Sequence, residues 1–399
     1  MKFRIDRDAL ADAVAWTART LPVRPPVPVL AGMHIVAGGE DSGDSASAAA
    51  ASAGHGGSAS NADRLKLSAF DYEVSAQVST DIDVEEAGTA LVSGRLLAEI
   101  SRSLPPHPVE VTTDGAKVML RCGSAKFTLL TMPVEDYPTL PEMPPAAGSV
   151  GSDEFAAAVS QVAIAAGKDD TIPMLTGVRV EIEGETVTLA STDRYRLAVR
   201  ELHWKPERPD FSAVALVPAR TLADTAKSLT AGAEVSIALG GAGGTGEGMI
   251  GFEGGGRRTT SRLLDGDFVK YRSLLPSEYA GLAEIQTAQF IEAVKRVSLV
   301  AERNTPVRLS FSQGEVVLEA GTGDEAQAVE ALEASLEGED IDIAFNPAFL
   351  LDGLSAIGSD VARLSFTTPT KPAVLTGKPP QEGENPNYRY LIMPVRLSG

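Results

Sequence analysis

Three segments of the chain place apolar residues at helical spacing directly after a residue that can cap a helix. They begin at Asp6, Ser152 and Thr287 and run to residues 20, 166 and 301. In the second segment, Phe155 and Val159 lie four positions apart and therefore share one helix face. Asp, Ser and Thr side chains accept hydrogen bonds from the free backbone amides of a first helical turn. We therefore predict an amphipathic helix at each of the three positions.

A second helical segment follows in each third of the chain, at residues 93–104, 218–229 and 346–357. These segments align without gaps when Gly94, Ala219 and Pro347 are matched, at separations of 125 and 128 residues. Alternating apolar and polar residues between the helices predict strands. Examples are residues 64–67, 178–182, 187–190 and 316–319.

A repeat of this length is longer than the unit of any solenoid, so each copy is expected to be a whole domain. The predicted boundaries are 1–148, 149–280 and 281–399. Two helices and many strands in each copy predict an α+β class with mainly antiparallel sheets. A Gly-, Ala- and Ser-rich stretch at residues 38–63 interrupts the first hairpin, and we expect it to be a disordered surface insertion.

The composition limits the classes of protein that the chain can belong to. Of 399 residues 43% are hydrophobic, which suits globular domains, and no run of 18 apolar residues predicts a membrane span. The first residues lack the apolar core of a signal peptide, and Cys122 is the single cysteine. We therefore expect a cytoplasmic protein without a disulfide and without a membrane partner. The net charge of −19 argues by itself against nucleic acid.

Motifs for catalysis, metals and cofactors are weak. Residues 241–246 match GxGxxG, but the Gly-rich sequence that follows does not predict the helix that a dinucleotide site needs. The four histidines are scattered without metal-ligand spacing. We expect no catalytic residue, no metal and no cofactor. The alternative is a repeat-built enzyme, or an acidic binding protein, with its site between domains.

The positions of the basic residues favour a different function from the one that the net charge suggests. Arg95 and Arg102 lie seven residues apart on the second helix of the first repeat, and Arg220 and Lys227 take the aligned positions in the second. Seven residues are nearly two helical turns, so each pair shares one face. The alternative is an ordinary solvated helix face, and the third repeat has Ala348 and Ser355 here. Three further basic residues lie on or after the first helices: Arg24, Lys168 and Lys295.

Several motifs together resemble the bacterial sliding clamps, the beta subunits of DNA polymerase III, of the actinobacterial type. They are Phe-Asp-Tyr-Glu at 70–73, Met-Pro-Val-Glu-Asp-Tyr-Pro at 132–138, Ser-Thr-Asp-Arg-Tyr-Arg-Leu-Ala at 191–198 and Tyr-Leu-Ile-Met-Pro-Val-Arg-Leu at 390–397. The resemblance implies a head-to-tail homodimer whose six similar domains form a ring around duplex DNA. It also implies a non-catalytic processivity subunit that reads no DNA sequence.

The size of such a ring agrees with simple geometry. Twelve helices packed about 9 Å apart give an axis-to-axis diameter of roughly 34 Å. Subtracting a helix radius of about 5 Å on each side leaves roughly 24 Å, which admits a duplex about 20 Å wide. Six helices from one chain close too tightly, so the smallest ring that fits is a dimer.

The resemblance also implies two further sites. One is a pocket for short peptide motifs of the replicative polymerase catalytic subunit, the clamp loader, other polymerases and repair proteins. Its residues are Leu175, Thr192, Arg194, Tyr195, Arg196, Leu197, Val269, Ser273, Leu274, Asn346, Phe349, Thr370, Pro372, Leu391, Ile392, Met393, Pro394, Val395, Arg396 and Leu397. Arg194 replaces a small residue of the family pattern, and Ser273 replaces an arginine. The other site is a dimer contact between Lys126 and Phe127 of one copy and Leu299 and Val300 of the other.

Overall fold

The computed structural model describes residues 1–38, 63–230, 232–240, 247–301, 305–321, 326–381 and 386–396. The chain forms two compact units. Unit 1 combines Met1–Ser152 with Lys227–Leu263, and unit 2 combines Asp153–Ala226 with Leu264–Gly399. The predicted middle domain, 149–280, is therefore divided between the units, and the three domain boundaries stay a prediction. The predicted insertion lies outside the described residues over positions 39–62, as does Leu397.

The six predicted helices are all present within the described ranges. They are α1 Arg7–Thr17, α2 Gly94–Ser103, α3 Ser152–Ala163, α4 Ala219–Ser228, α5 Thr287–Val297 and α6 Pro347–Ala356. Asp6 caps α1 as predicted, since its carboxylate accepts hydrogen bonds from the backbone amides of Asp8 and Ala9. The predicted caps Ser152 and Thr287 were wrong by one position, since they are the first residues of α3 and α5. The Ser152 hydroxyl donates to the Gly232 carbonyl, and Gln286 precedes α5 without a side-chain bond.

The strands account for most of the remaining described chain, and the four predicted strand segments fall in β3, β11, β12 and β21. In chain order the strands are β1 Lys2–Ile5, β2 Gly32–Ala37, β3 Arg64–Phe70, β4 Val74–Asp81, β5 Asp83–Glu86, β6 Gly88–Ser93, β7 Val109–Asp114, β8 Lys117–Cys122, β9 Ala125–Leu130, β10 Ala146–Gly151, β11 Gly177–Glu183, β12 Thr186–Thr192, β13 Arg196–His203, β14 Lys205–Pro206, β15 Ser212–Pro218, β16 Glu234–Leu239, β17 Met249–Gly254, β18 Arg257–Arg262, β19 Gly281–Gln286, β20 Val307–Ser312, β21 Glu315–Ala320, β22 Ala328–Glu337, β23 Ile341–Phe345, β24 Val361–Phe366, β25 Ala373–Gly377 and β26 Tyr388–Ile392.

Unit 1 consists of two antiparallel sheets and the helix pair α1 and α2. One sheet has the order β5-β1-β7-β8-β9, and the other runs β10-β16-β17-β18-β4-β3-β2-β6. The two helices pack on each other, and α1 lies against β3 and β4. The core contains Phe3, Leu10, Val14, Met33 and Leu67, all of them buried. Their helix positions follow the 3.6-residue period and their strand positions alternate, which is why the sequence pattern predicts both kinds of element.

Unit 2 is built on one antiparallel sheet of twelve strands, in the order β15-β11-β12-β13-β26-β25-β24-β19-β22-β21-β20-β23. The first part of β22 pairs with β21 and its last part pairs with β19, so this strand passes from one half of the sheet to the other. Helix α5 packs on β19, β21 and β22 and also contacts α6. The buried core here includes Phe290, Phe311, Phe345, Leu350 and Phe366. The α+β class with antiparallel sheets is confirmed.

None of the helices in the described ranges has the length and apolarity that crossing a membrane requires. After the Gly-rich GxGxxG segment, whose residues 241–246 lie outside the described residues, the chain continues into strand β17. A dinucleotide site needs a helix at this point, so the strand agrees with the expectation that the GxGxxG match marks no such site.

Candidate functional site

The site centres on the pairing of β13 with β26 in unit 2. We call this pairing the second strand junction, because a similar pairing in unit 1, described below, comes earlier in the chain. Leu197 of β13 lies opposite Leu391 of β26, and Val374 of β25 lies opposite Leu391 on the other side. These three side chains pack in one apolar cluster with Phe268 and Tyr271. Its further members are Ala190, Val199 and Leu216, with Met174, Leu264, Val269 and Leu275 half-buried at its margin. The junction therefore has an apolar floor.

A tight turn leads into this junction. The Asp193 carboxylate accepts hydrogen bonds from the backbone amides of Tyr195, at 3.0 Å, and Arg196, at 3.1 Å. Thr192 Oγ1 donates to the Arg196 carbonyl at 2.6 Å and accepts from the Arg194 amide at 3.2 Å. The turn holds Arg194 in the left-handed region, with φ 80°, where a side chain is disfavoured. Its geometry points Arg194 and Tyr195 into solvent and Thr192 into the interior.

Arg196 was predicted to line the pocket, and the structure shows that its guanidinium is occupied within the chain. It is buried, with Nε 3.0 Å from Asp193 Oδ2 and Nη1 2.5 Å from Asp352 Oδ2. Its Cζ also lies 4.4 Å from the centre of the Phe349 ring. Burial opposes the charge, but the Tyr390 hydroxyl and the Asp352 carboxylate outweigh it and raise the pKa of Arg196. Arg196 thus positions Phe349, whose other ring neighbour is Tyr195, at 6.2 Å.

The C-terminal segment extends the junction past the end of β26. The Met393 amide donates to the Tyr195 carbonyl at 2.9 Å, and the Val395 amide donates to the Ala344 carbonyl at 2.8 Å. Because side chains alternate along a strand, Met393 lies on the same face as Leu391, and the fully buried Ile392 points to the other face. Pro394 and Val395 are half-buried and Arg396 is exposed.

Exposed apolar side chains surround the buried floor. Met393, Leu274 and Tyr195 stay 38%, 49% and 57% exposed, although each is large and apolar. Such clustered apolar exposure on a folded chain marks a surface for a partner. The floor with these three residues is called the apolar groove below.

The other predicted pocket residues have varied surroundings. Leu175 is buried in the short helical turn Pro173–Thr176, and Ser273 uses its hydroxyl on the Lys270 carbonyl at 2.7 Å. The Asn346 side chain caps α6 by accepting from the amides of Ala348, at 2.9 Å, and Phe349, at 3.3 Å. The Asn346 side chain therefore caps the helix and also bonds the backbone of Phe349. Thr370 and Pro372 lie in the turn before β25, the strand that carries Val374.

The same strand arrangement occurs in unit 1, where β4 pairs with β18. We call this the first strand junction. Here the Asp71 carboxylate accepts from the amides of Glu73 and Val74, and Tyr72 has φ 75°. The amide of Arg262 donates to the Glu73 carbonyl at 2.9 Å, as that of Met393 does to the Tyr195 carbonyl in unit 2. Sequence reasoning did not connect the two turns, although the Asp at the start of each was a signal for them.

The predicted DNA-contacting residues are all exposed. Arg95 and Arg102 lie at the two ends of α2, and Arg220 and Lys227 lie at the two ends of α4. Arg95 Nη2 donates to the Pro22 carbonyl at 3.0 Å, in the loop that carries Arg24. Lys168 lies in the loop after α3, and Lys295 on α5 forms an ion pair of 2.9 Å with Glu292. The sequence analysis missed Arg7, which bonds the carbonyls of Arg102 and Leu104 at the end of α2.

The predicted dimer residues lie at the surfaces of the two units, where Lys126 and Leu299 are exposed and Phe127 and Val300 are half-buried. Lys126 and Phe127 belong to β9, which ends its sheet, and Leu130 of the same strand is exposed. Leu299 and Val300 form the helical turn after α5, and Leu299 is largely exposed. Among the described residues β22 has a similar open edge, because its segment 328–333 pairs only with β21. The unpaired backbone groups of such edges can bond another chain.

No cluster of three or more His, Cys, Asp or Glu side chains in the described part of the chain is placed to hold a metal ion. The described residues therefore give no metal-ligand group beyond the scattered histidines already considered from the sequence.

Three family models match the chain in order: the N-terminal domain of the DNA polymerase III beta subunit at residues 1–43 and 59–141, its central domain at 149–270 and its C-terminal domain at 272–396. The beta sliding clamp of Streptomyces coelicolor is 62% identical, with all of both chains covered. A beta sliding clamp homolog of Streptomyces muensis, GriR, is 46% identical with the same coverage. Among solved structures, the Bacillus subtilis sliding clamp matches all of both chains with TM-score 0.86 and 26% identity. A Pseudomonas aeruginosa clamp bound to griselimycin matches equally well.

Proposed function

The chain belongs to the DNA polymerase III beta-subunit family, the beta sliding clamps, and we propose that two copies of it close head to tail into a ring around duplex DNA. In this role the chain is a processivity subunit: it keeps the polymerase on DNA and carries out no reaction itself. The proposal uses three copies of the clamp domain, with the boundaries 1–148, 149–280 and 281–399. We also propose that it acts in the cytoplasm, where bacterial DNA is replicated.

The observation that carries the dimer is the pattern of strand junctions. The described part of the chain contains two junctions of one kind, β4 with β18 and β13 with β26, both antiparallel. Among the same residues, two unpaired edges of the corresponding kind remain, β9 in unit 1 and residues 328–333 of β22 in unit 2. Pairing β9 of one copy with β22 of the other repeats the same junction, and the twofold assembly leaves neither edge open.

Side chains support this pairing. Glu330 and Glu333 lie on the β22 edge, and Lys126 lies on β9, so the two edges carry opposite charges. Phe127 and Leu130 add apolar area on one side, and Leu299 and Val300 add it on the other. Glu330 is already bonded to Arg296 at 2.6 Å, which fixes its carboxylate beside the edge. Burying the exposed apolar residues would supply the main driving force.

Contacts with DNA must allow sliding, and exposed lysine and arginine on helices and the loops beside them are suited to that. Phosphates carry no base identity, and charge contacts with them are weak at physiological salt. We propose that Arg24, Arg95, Arg102, Lys168, Arg220, Lys227 and Lys295 make such contacts. The acidic remainder of the chain, with its net charge of −19, would repel DNA from other surfaces.

The apolar groove of unit 2 is proposed as the site for short peptide segments of partner proteins. These partners are the replicative polymerase catalytic subunit, the clamp loader, other polymerases and repair proteins. A buried apolar floor with an exposed, unbranched methionine at its edge can accept different side chains. The griselimycin complex of the Pseudomonas aeruginosa clamp shows that a member of the family binds a ligand.

The experiment that tests the ring compares closed circular DNA with the same DNA made linear. After a clamp loader has acted, the wild-type protein should stay on the circle and leave the linear form through its ends. Phe127→Glu with Leu299→Glu should give a monomer of about 41.6 kDa in native mass spectrometry and abolish retention. Val214→Glu, an exposed apolar position on β15, is the matched control and should stay dimeric. Equal retention of wild-type protein on both DNA forms would reject encirclement.

A further inference from the structure

Arg257 begins β18 in the first strand junction, and its side chain reaches from the sheet to the helices of unit 1. Its Nη1 donates to the Ser228 carbonyl at 2.7 Å, and its Nη2 donates to the Asp12 carboxylate at 2.6 Å. The Cζ atom lies 5.6 Å from the centre of the Trp16 ring. Ser228 is the last residue of α4, and Asp12 and Trp16 belong to α1. One guanidinium thus joins a strand to two helices, and we call these contacts of Arg257 the helix bridge.

The backbone and the side chain of Arg257 are both held in place. In the sheet it pairs with Gly254 of β17 on one side and with Val78 of β4 on the other. Its side chain is 14% exposed and both terminal nitrogens are bonded, whereas the Asp12 side chain is 70% exposed. A ligand arriving from solvent would therefore meet Asp12 first, and Arg257 acts on it through its neighbours.

The exposed face of α1 carries carboxylates that arginines neutralise. Helix α1 contains two acidic residues, Asp8 and Asp12, which lie four positions apart and so share one face. Asp8 is bonded to Arg7 at 2.6 Å, and Asp12 is bonded to Arg257. Every carboxylate on this helix, all of whose residues the structure describes, therefore has a cationic partner. A surface without unpaired negative charge lets a DNA phosphate come close.

Unit 2 builds the corresponding bridge from uncharged side chains. Tyr388 begins β26, the strand that takes the place of β18 in the second strand junction. Its hydroxyl donates to the Gln161 carbonyl at 3.0 Å, and Gln161 Nε2 donates to the Ala356 carbonyl at 2.7 Å. Gln161 is the tenth residue of α3, as Trp16 is of α1, and Ala356 is the last residue of α6. The same three elements are therefore joined in both units, with a cation in unit 1 alone.

The charge of each bridge follows the charge of the helix that it joins. The sixth residue of α1 is Asp12, and its bridge contains an arginine. The sixth residue of α3 is Ala157, and its bridge is neutral. In the third repeat the sixth residue of α5 is Glu292, and Lys295 is bonded to it at 2.9 Å. An acidic residue at this helix position is thus accompanied by a cation, which a bridge that served only to join the elements would not require.

We propose that Arg257 is a positioning residue for the DNA-contacting surface. It cancels the negative charge of Asp12 on α1, and it holds the end of α4, where Lys227 precedes Ser228. This assignment rests on the proposed ring, in which helices face the duplex, and adds a residue that touches no DNA itself. An unpaired Asp12 would repel phosphates, and a loosened end of α4 would let Lys227 move away from them.

The test measures the affinity of the full-length dimer for a short fluorescein-labelled DNA duplex by anisotropy, at several salt concentrations. Arg257→Gln should weaken binding about threefold at low salt, the effect of one unpaired charge in water. The difference should shrink as the salt concentration rises. Adding Asp12→Asn to Arg257→Gln should restore most of the lost affinity, because no negative charge is then left unpaired. A bridge with a mechanical role alone would leave the double variant as weak as Arg257→Gln.

A third variant separates the charge from the hold on α4. Arg257→Lys keeps the positive charge beside Asp12 but lacks the fork of two nitrogens that reaches Asp12 and the Ser228 carbonyl together. It should bind the duplex about as well as the double variant does. Hydrogen exchange of the last turn of α4 should be faster in both Arg257→Lys and Arg257→Gln than in wild type. Exchange at the wild-type rate in both would show that Arg257 does not hold this helix end.

Arg308→Gln is the matched control, because it also removes an arginine from an ion pair, with Asp342 at 2.6 Å, but on strand β20. It should bind the duplex as wild type does, and an equal loss of affinity would show that net charge alone explains the effect of Arg257→Gln. Unchanged affinity of Arg257→Gln, with wild type still retained on closed circular DNA, would overturn the role of Arg257 and leave the ring standing. Wild-type protein that leaves circular and linear DNA alike would instead overturn the proposed ring, and this inference with it.

Discussion

The two strand junctions have the same backbone and opposite surfaces. In each, an aspartate accepts from two backbone amides, Asp71 in unit 1 and Asp193 in unit 2, and the next residue has a positive φ. Matching these aspartates also matches Ser75 with Leu197. Ser75 pairs with Thr260, and Leu197 pairs with Leu391. The strand pairing is therefore the same in both junctions. The paired side chains carry hydroxyl groups in unit 1 and are apolar in unit 2.

Polar side chains at the first junction and on the neighbouring strand β3 bond to each other. Ser75 Oγ and Thr260 Oγ1 share a hydrogen bond of 2.6 Å, and Gln77 Nε2 donates to Ser68 Oγ at 3.4 Å. At the positions of Ser68 and Gln77 the second junction has Ala190 and Val199, both in the apolar cluster.

The chain also fills the first junction itself. Gly251 takes the place that Val374 has in unit 2, and a side chain at Gly251 would collide with Met143. The strand pairing thus builds both junctions, and the side chains decide which of them can receive a partner.

The largest expected effect comes from placing the serine and threonine of the first junction at the matching positions of the second. Leu197→Ser with Leu391→Thr should lower peptide affinity by about 100-fold or more, since each buried leucine is worth about 2 kcal/mol of apolar contact. The free energy of unfolding should also fall by several kcal/mol. Calorimetric titration and urea denaturation measure the two effects. The reverse change in unit 1, Ser75→Leu with Thr260→Leu, should leave peptide binding unaltered. Wild-type affinity in the first variant would contradict the apolar floor.

Removing the charge of Arg196 should have the next largest effect. Arg196→Gln leaves the Asp193 carboxylate half-buried without its partner and frees the Phe349 ring, so unit 2 should lose about 2–3 kcal/mol of stability. The matched residue in unit 1 is Val74, and Val74→Ala should cost only about 1 kcal/mol. Guanidinium unfolding curves measure both variants. A loss of peptide affinity without any loss of stability would show that Arg196 contacts the peptide directly.

A smaller effect concerns pH and Glu181, which accepts bonds from Arg179, Tyr271 and Arg272. Counting from the glycines that begin β11 and β2, the matching residue in unit 1 is Val36. Because folding lowers the pKa of Glu181 below its usual value of 4.5, its contribution to stability is complete above that pH. The contribution is lost as the pH falls through the lower folded value. Glu181→Gln should reduce stability near neutral pH by about 1.5 kcal/mol, the size of a charged hydrogen bond. It should also flatten the decline of stability as the pH falls below the usual glutamate value of 4.5. An unchanged acid slope in thermal melts would contradict this assignment.

The smallest effect tests the strain that the two turns share. Arg194→Gly should stabilise unit 2 by about 0.5–1 kcal/mol, since glycine adopts a φ of 80° without the steric cost of a Cβ. Arg194→Ala keeps the Cβ and is the control that should give no gain. Tyr72→Gly should give less gain, because Tyr72 also packs edge-on against Phe70 at 5.5 Å between ring centroids. Equal stabilities of the glycine and alanine variants at position 194 would show that the turn is unstrained.

Sequence patterns predicted the helices and the strands well, because burial in α1 or β3 depends on a local period. They predicted the groove only through the resemblance to sliding clamps. Leu391 and Ile392 look alike in the sequence, yet one lines the groove and the other is buried on the opposite face. Arg196 looked like a lining residue, and its role within the chain depends on Asp352, which is 156 positions away. No periodicity links such distant side chains.

The sequence alone determined that the chain has a threefold repeat of two helices and antiparallel strands, that basic residues recur at aligned positions of two helices, and which family it resembles. These properties are written in local spacing and in short motifs. Only the tertiary structure decided that one strand junction is apolar and the other is closed by the Ser75–Thr260 hydroxyl pair and Met143. It also decided that Glu181 gathers two arginines beside the groove. Both outcomes depend on which residues the strand register places opposite each other, and register is a property of the folded sheet.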